Sequence, residues 1–353
     1  MTDNSDNSHD PSMPTPYDPW DTSSDRVLIA YHDNCLDGFT AAWAAYRGMS
    51  KLMCKPELLP MSYNPESTQR LFDALTTGDS VLGIQVVDFS LPVDVLARLQ
   101  CCHPSVFVNI IDHHKTTFEA YCPDIDTIEC DTVVAGKLHG CNYILDNSES
   151  GASLTYKHFN YQGVPEEQTL PLPLLIQYVK DYDLGQFKLG DKTRWVNKYL
   201  MIQDRTLQRW DELLEMFDNE CSYAAILDAG RELEEAHMLM VTKIARTAKP
   251  FTIYGAKGLF CMCPYEYMND VGHELANKSG TYGIMVVIDE KKVVGKWSLR
   301  SNGDYDVSKL AGLFGGGGHK NAAGFETSIN ESLQMMRDDG SWSEPLVVGD
   351  IDE

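Results

Sequence analysis

No apolar run in this chain reaches the roughly 18 residues that a membrane-spanning helix needs. The chain also lacks a basic-then-apolar leader, its first residues being polar and acidic. Both absences predict a soluble, cytoplasmic protein. Positive charge is scarce: 29 Lys and Arg stand against 52 Asp and Glu, for a net charge of −23. That balance argues against broad binding to long nucleic acids, which depends on neutralising many phosphates. Paired zinc knuckles are missing as well, since none of the ten cysteines form a C-x2-C pair. Adjacent Cys101-Cys102 and alternating Cys261-Met262-Cys263 are poor disulfide geometry, so reduced thiols are expected. The looser group Cys122, Cys130, His139 and Cys141 reads as buried thiols rather than a zinc site.

What is present has a clear pattern. Val106-Phe107-Val108-Asn109-Ile110-Ile111 is a nearly continuous apolar run, as expected of a strand buried on both faces of a parallel sheet, and it ends in Asp112-His113-His114. Val27-Leu28-Ile29-Ala30-Tyr31 likewise ends in His32-Asp33-Asn34-Cys35-Leu36-Asp37-Gly38, and Val81 to Val87 ends in Asp88. A helical stretch from Leu174 to Lys180 leads into Asp181-Tyr182-Asp183. A single Asp after a strand is usually a cap or turn residue. Four such ends rich in Asp and His instead suggest ligands gathered at the carboxyl edge of a sheet, where open α/β proteins bind.

At 353 residues the chain is long enough for two domains. The spacing of strands and helices predicts an α/β protein whose N-terminal domain, residues 25–220, has a parallel sheet. Residues 221–249 read as one long connecting helix, and 250–330 as a smaller mixed-sheet C-terminal domain. His237, on the apolar stripe of the connector, is expected to be a packing residue. The acidic head, residues 1–24, and the acidic tail, 331–353, are expected to lack a fold. The C-terminal domain contains Gly315-Gly316-Gly317-Gly318-His319-Lys320-Asn321-Ala322-Ala323-Gly324, whose glycines predict backbone N–H groups open to an anion, with Arg300, His319 and Lys320 nearby in charge.

Together these residues resemble the DHH phosphoesterase superfamily. Asp112-His113-His114 stands as its name motif, and residues 315–324 resemble the DHH-associated C-terminal domain. The oligoribonuclease, or nanoRNase, branch is the most similar. The resemblance covers roughly residues 26–327. It implies two divalent metals, usually manganese, held by His32, Asp37, Asp88, His113 and Asp183, with Asp88 bridging. Asp112 would orient a ligand histidine, and His114 would touch the scissile phosphate. Arg300, Gly316, Gly317, Gly318, His319 and Asn321 would bind the nucleotide or its terminal phosphate.

One position departs from the family pattern. Cys35 occupies a place usually held by Asp, and a thiolate ligand there would favour zinc, cobalt or iron(II) over manganese. Asp181 and Asp183 compete for one role, with the family spacing favouring Asp183.

The expected activity is hydrolysis of short RNA or DNA oligonucleotides to mononucleotides by a metal-activated water. The alternatives are hydrolysis of a small phosphate, such as a cyclic or linear dinucleotide, a 3′-phosphoadenosine or polyphosphate, and a non-catalytic nucleic-acid-binding role. No membrane or long nucleic acid is expected as a partner, and a homodimer is left open.

Overall fold

The computed structural model describes residues 26–50, 54–125, 128, 129, 131–161, 164, 169 and 171–337. The expected acidic head, most of the expected tail and Cys130 lie outside the described residues. The chain divides into two compact units, 1–231 and 232–353.

The first unit is built on strands β1 (Arg26–His32), β2 (Lys55–Met61), β3 (Val81–Val87), β4 (Phe107–Asp112), β5 (Val133–Leu138) and β6 (Cys141–Asp146). Their order is β2-β1-β3-β4-β6-β5. All neighbours run parallel except β5, which returns antiparallel along β6. The sheet is therefore mostly parallel, and β5 and β6, in a segment that carries no clear sequence signal, form a β-hairpin at its edge. The helices are α1 (Leu36–Met49), α2 (Pro65–Thr76), α3 (Val93–Cys102), α4 (Lys115–Tyr121), α5 (Gly151–Tyr161), α6 (Leu174–Asp183), α7 (Asp191–Met201) and α8 (Leu207–Asp218).

Alternating strand residues feed two cores. Val27 and Ile29 pack with α1 and with α5 to α8, while Leu28 and Ala30 pack with α2, α3 and α4. Helices thus cover both faces, which is why the central strands read as unbroken apolar runs. The alanines of α1 are fully buried and bring its backbone close to α5. The sheet order also reverses at β1: the chain moves outward to β2, then returns to β3 on the other side. Such a switch point opens a crevice beyond the strand ends.

Helix α9 (Glu220–Ala245) crosses the boundary between the units. The second unit contains β7 (Lys249–Ile253), β8 (Ala256–Met262), α10 (Met268–Ser279), β9 (Tyr282–Asp289), β10 (Val294–Ser301), α11 (Val307–Gly312), β11 (Gly317–His319), β12 (Ala322–Ser328) and α12 (Ile329–Arg337). The strands form a mixed sheet in the order β11-β12-β10-β9-β8-β7, parallel only between β8 and β9. Residues 331–337, expected to begin an unfolded tail, instead belong to α12. Met335 there is buried against the sheet, and Ser332 accepts from the Trp297 indole at 3.2 Å. Its apolar contacts outweigh the local acidity.

Trp210 joins α8 to α1. It is fully buried, its indole donates to Thr40 Oγ1 at 3.0 Å, and its ring meets Phe39 edge-on at 4.8 Å. Trp210→Ala is expected to destabilise the chain by about 3–5 kcal/mol, measured by urea unfolding, with Trp210→Phe losing clearly less.

Candidate metal centre

Four elements deliver the site. β1 ends at His32, and the following turn places Cys35 at the N-cap of α1 and Asp37 in its first turn. β3 is followed by Asp88, held at φ 51°, and β4 ends at Asp112, with His113 and His114 next. Asp183 is the last residue of α6. Since β1, β3 and β4 are adjacent and parallel, their carboxyl ends meet.

The structure brings the expected ligands together. His113 Nε2 lies 3.2 Å from Asp88 Oδ1, 3.5 Å from Asp183 Oδ2 and 3.8 Å from Asp37 Oδ2. His32 Nδ1 lies 3.9 Å from the other Asp88 oxygen. Potential ligand atoms of His32, Cys35 and Asp88 fall within 4.8 Å of one another, as do those of Asp37, His113 and Asp183 and those of Asp88, Asp112, His113 and His114. Asp88 thus turns one oxygen towards each side of the centre.

Asp37 is fixed from behind by the amino end of α5, where the N–H groups of Gly151 and Ala152 donate to it at 2.6 and 3.1 Å. Free N–H groups at a helix start favour a carboxylate. The approach is so close that a Cβ at residue 151 would sit 2.4 Å from Asp88 Cβ, so glycine is required there. Asp181 has a different task. It accepts from the N–H groups of Lys188 and Leu189 and from Thr193 Oγ1, pinning the loop after α6.

Both Asp88 oxygens and His113 Nε2 are buried without a hydrogen-bond partner; the short His113–Asp88 approach is not aligned as one. Buried polar atoms are normally satisfied, and buried charges are normally paired or bound to metal. Burial, then the nearby Asp37 charge, pushes the Asp88 carboxyl well above its usual range, and the same causes push Asp183 up to about 7. Three crowded carboxylates with open lone pairs, two imidazoles and a thiol are the donor set of a divalent-cation site, so these residues fit such ions.

Asp112 is fully buried and accepts from His114 Nδ1 at 2.7 Å and from Thr117 Oγ1 at 2.5 Å. Burial alone would raise its pKa, but these bonds, His114's first, hold it below the usual range. Conversely, burial disfavours the His114 cation, yet the bond to Asp112 and the nearby charges keep its pKa above the ordinary value. From His113, by contrast, Asp112 accepts only the backbone N–H, at 2.8 Å. The imidazole that it orients is therefore that of His114, not that of the expected ligand His113.

In the second unit, His319, Ala322 and Arg300 stand opposite one another across β11, β12 and β10. Facing residues in antiparallel strands share a side of the sheet, which brings Arg300 and His319 to one face. Arg300 Nε donates to Asn269 of α10 at 3.0 Å. The glycine run is not an open loop. Gly315 and Gly316 N–H groups cap the end of α11, donating to Gly312 and Ala311, and Gly317 and Gly318 begin β11, where a Cβ on Gly318 would sit 2.6 Å from Ala323 Cα on the facing strand. Asn321 is also committed, donating to Ser301 Oγ at 2.9 Å and to the Gly303 carbonyl at 3.2 Å. His237, read as a packing residue, stacks on Tyr267 and pairs with Asp270 at 2.7 Å.

Several contributors had no motif to mark them. Glu149 is buried and bonded to Lys157 and Lys180, both at 2.7 Å, and to Ser153, which anchors the start of α5 below Asp37. Its only sequence signal is its place just before a Ser-Gly helix start. Thr117 and Tyr63 were silent as well. Tyr63 is 59 % exposed; its ring packs 4.4 Å from Phe89 and 5.9 Å from His32, at the rim of the centre.

Residues 267–339 match the DHHA1 domain. The chain is 25 % identical over 321 residues to an uncharacterised protein, R106, of Acanthamoeba polyphaga mimivirus, covering 87 % of this chain and 69 % of that one. In structure it is similar to the exonuclease RecJ bound to manganese, with 13 % identity, a TM-score of 0.49 and coverage of 91 % of this chain and 90 % of that chain. It is also similar to CDC45 from Entamoeba histolytica, with 10 % identity, a TM-score of 0.46 and coverage of 90 % and 95 %. A third similar structure is an exopolyphosphatase-related protein from Bacteroides fragilis, with 14 % identity, a TM-score of 0.42 and coverage of 90 % and 91 %. The DHHA1 match in the second unit therefore follows, in chain order, a first unit whose Asp-His-His strand end lies in a cluster of Asp and His side chains. Among the described residues, no helix is long and apolar enough to cross a membrane.

The crowded carboxylates set a pH signature. Asp88 and Asp183 have raised pKa values in the folded, metal-free chain, so the native state holds extra protons there. Their contribution is full below the ordinary carboxylate pKa of about 4 and is lost as pH rises towards 7. The melting temperature of metal-free protein is expected to fall across that window, and Asp183→Asn to flatten the fall. Saturating manganese should raise the melting point most at the upper end. Asp181→Ala should instead lower it at every pH in the window by leaving two backbone N–H groups unpaired, at about 1–3 kcal/mol each.

Proposed function

We propose that this chain is a metal-dependent phosphodiesterase that removes mononucleotides from short oligonucleotides. The observation that carries this reading is the set of partnerless buried atoms, both Asp88 oxygens and His113 Nε2, where two groups of ligand side chains meet. His32, Cys35 and Asp88 would hold one divalent ion and Asp37, His113 and Asp183 the other, with Asp88 shared between them. Ions so placed supply a water of lowered pKa and positive charge for phosphoryl oxygens. Manganese suits the carboxylate and imidazole donors around Asp37.

The remaining residues have separable tasks. His114, held by ionised Asp112 through Nδ1, leaves Nε2 as the donor for a leaving oxygen or for charge developing on the phosphate. Thr117 and Ser90 lock that pair from behind, with Thr117 Oγ1 2.8 Å from Ser90 Oγ. Tyr63 offers an aromatic ring beside the ligands, supported on Phe89, on which a base can stack. That ring favours a nucleotide over a chain of bare phosphates. Arg300 and His319 provide donors for a phosphate in the second unit. The net charge of −23 suits short substrates better than long ones.

The test is turnover by metal-free protein resupplied with manganese, using a 5′-labelled RNA dinucleotide, an RNA five-mer and inorganic polyphosphate. Stepwise release of mononucleotides is expected, with Asp88→Ala lowering the rate by about 100-fold or more. Tyr63→Leu is expected to raise KM for oligonucleotides by about tenfold. Cleavage of polyphosphate alone would replace this reading with a small-phosphate hydrolase.

A further inference from the structure

The loop after β1 distributes its ligands to opposite sides of the centre. His32 and Cys35 gather on Asp88, with His32 Nδ1 3.9 Å from its Oδ2, whereas Asp37, two residues further on, groups with His113 and Asp183. The first group offers sulfur, an imidazole nitrogen and one carboxylate. The second offers one imidazole nitrogen and two carboxylates. Asp88, 1 % exposed, is aimed between them with both oxygens free of hydrogen bonds. Two neighbouring sites with such different donors do not rank ions alike, since thiolate selects zinc, cobalt or iron(II) while carboxylates accept manganese and magnesium.

We propose that the centre is heterometallic, with a thiophilic ion on Cys35, His32 and Asp88 and a hard ion such as manganese on Asp37, His113 and Asp183. This rests on the two-ion reading above and assigns an identity to each half. Cys35 is only partly buried, and its Sγ needs no rearrangement to join His32 and Asp88. Asp37 cannot exchange roles with it, because the amino end of α5 holds both Asp37 oxygens. The sorting of ions is thereby fixed by backbone geometry. Preparations reconstituted with one metal would hold one half in a mismatched state.

The experiment uses the full, metal-free chain and reads metal binding rather than turnover. Cobalt(II) titration should produce the near-ultraviolet sulfur-to-cobalt charge-transfer band in the native chain. That band should be absent in Cys35→Ser and Cys35→Asp, whose circular dichroism should match the native spectrum. Equimolar zinc and manganese, followed by desalting and metal analysis, should leave close to one of each per native chain. Cys35→Asp should shift the retained ratio towards manganese by about tenfold or more. Two bound cobalt ions without the band, or a ratio unchanged in Cys35→Asp, would overturn the split while leaving the two-ion reading intact. Failure of the native chain to bind any divalent ion would overturn both.

Discussion

The structure of the first unit depends on holding three carboxylates against one imidazole. Asp37, Asp88 and Asp183 all lie within 4 Å of His113 Nε2, and Asp88 is shut off from solvent with no bond to either oxygen. Like charges at such spacing raise one another's pKa and oppose folding unless a cation or protons intervene. That cost can persist only in a frame rigid enough to impose it. It is also what gives the site its affinity for positive charge.

The frame is supplied by topology and by helix ends. Three parallel strands on either side of the switch point finish at one level, so β1, β3 and β4 each contribute from the same edge. Helix α5 presses its first N–H groups onto Asp37, and the buried Glu149 ties the start of that helix to Lys157 and Lys180. A buried carboxylate with two ammonium partners and a hydroxyl is well satisfied, in contrast to Asp88 a short distance along the same edge. The satisfied cluster supports the site, and the unsatisfied one is the site. Asp112 belongs to the supporting group, spending its oxygens on His114, Thr117 and the backbone.

Much of this was legible in the sequence for a physical reason. Central strands of a parallel sheet are apolar on both faces, so the Asp and His residues that end them interrupt long hydrophobic runs and stand out. His32, Asp88 and the Asp112-His113-His114 ends could be read in that way. The β5–β6 hairpin could not. Gly136 interrupts β5 where the Tyr143 ring lies across it, and the turn at His139 and Gly140 uses positive φ at both residues without the usual Asn-Gly or Asp-Gly signal. The backbone form of the glycine run was not legible either. Glycine permits both an open anion loop and a tightly packed edge strand, and only the pairing of residues 317–319 with β12 decides between them. Glu149, Thr117 and Tyr63 were silent because their roles arise from contacts between residues distant in sequence.

The central claim is that Asp88 stands between two cation sites. Anomalous scattering from crystals of the full chain soaked in manganese, recorded at the manganese edge and compared with unsoaked crystals, tests it most directly. The account predicts density on both sides of Asp88, each peak touching one of its oxygens, with the weaker peak on the side of Cys35. Absence of any peak, with Asp88 protonated and hydrogen bonded to His113, would contradict it.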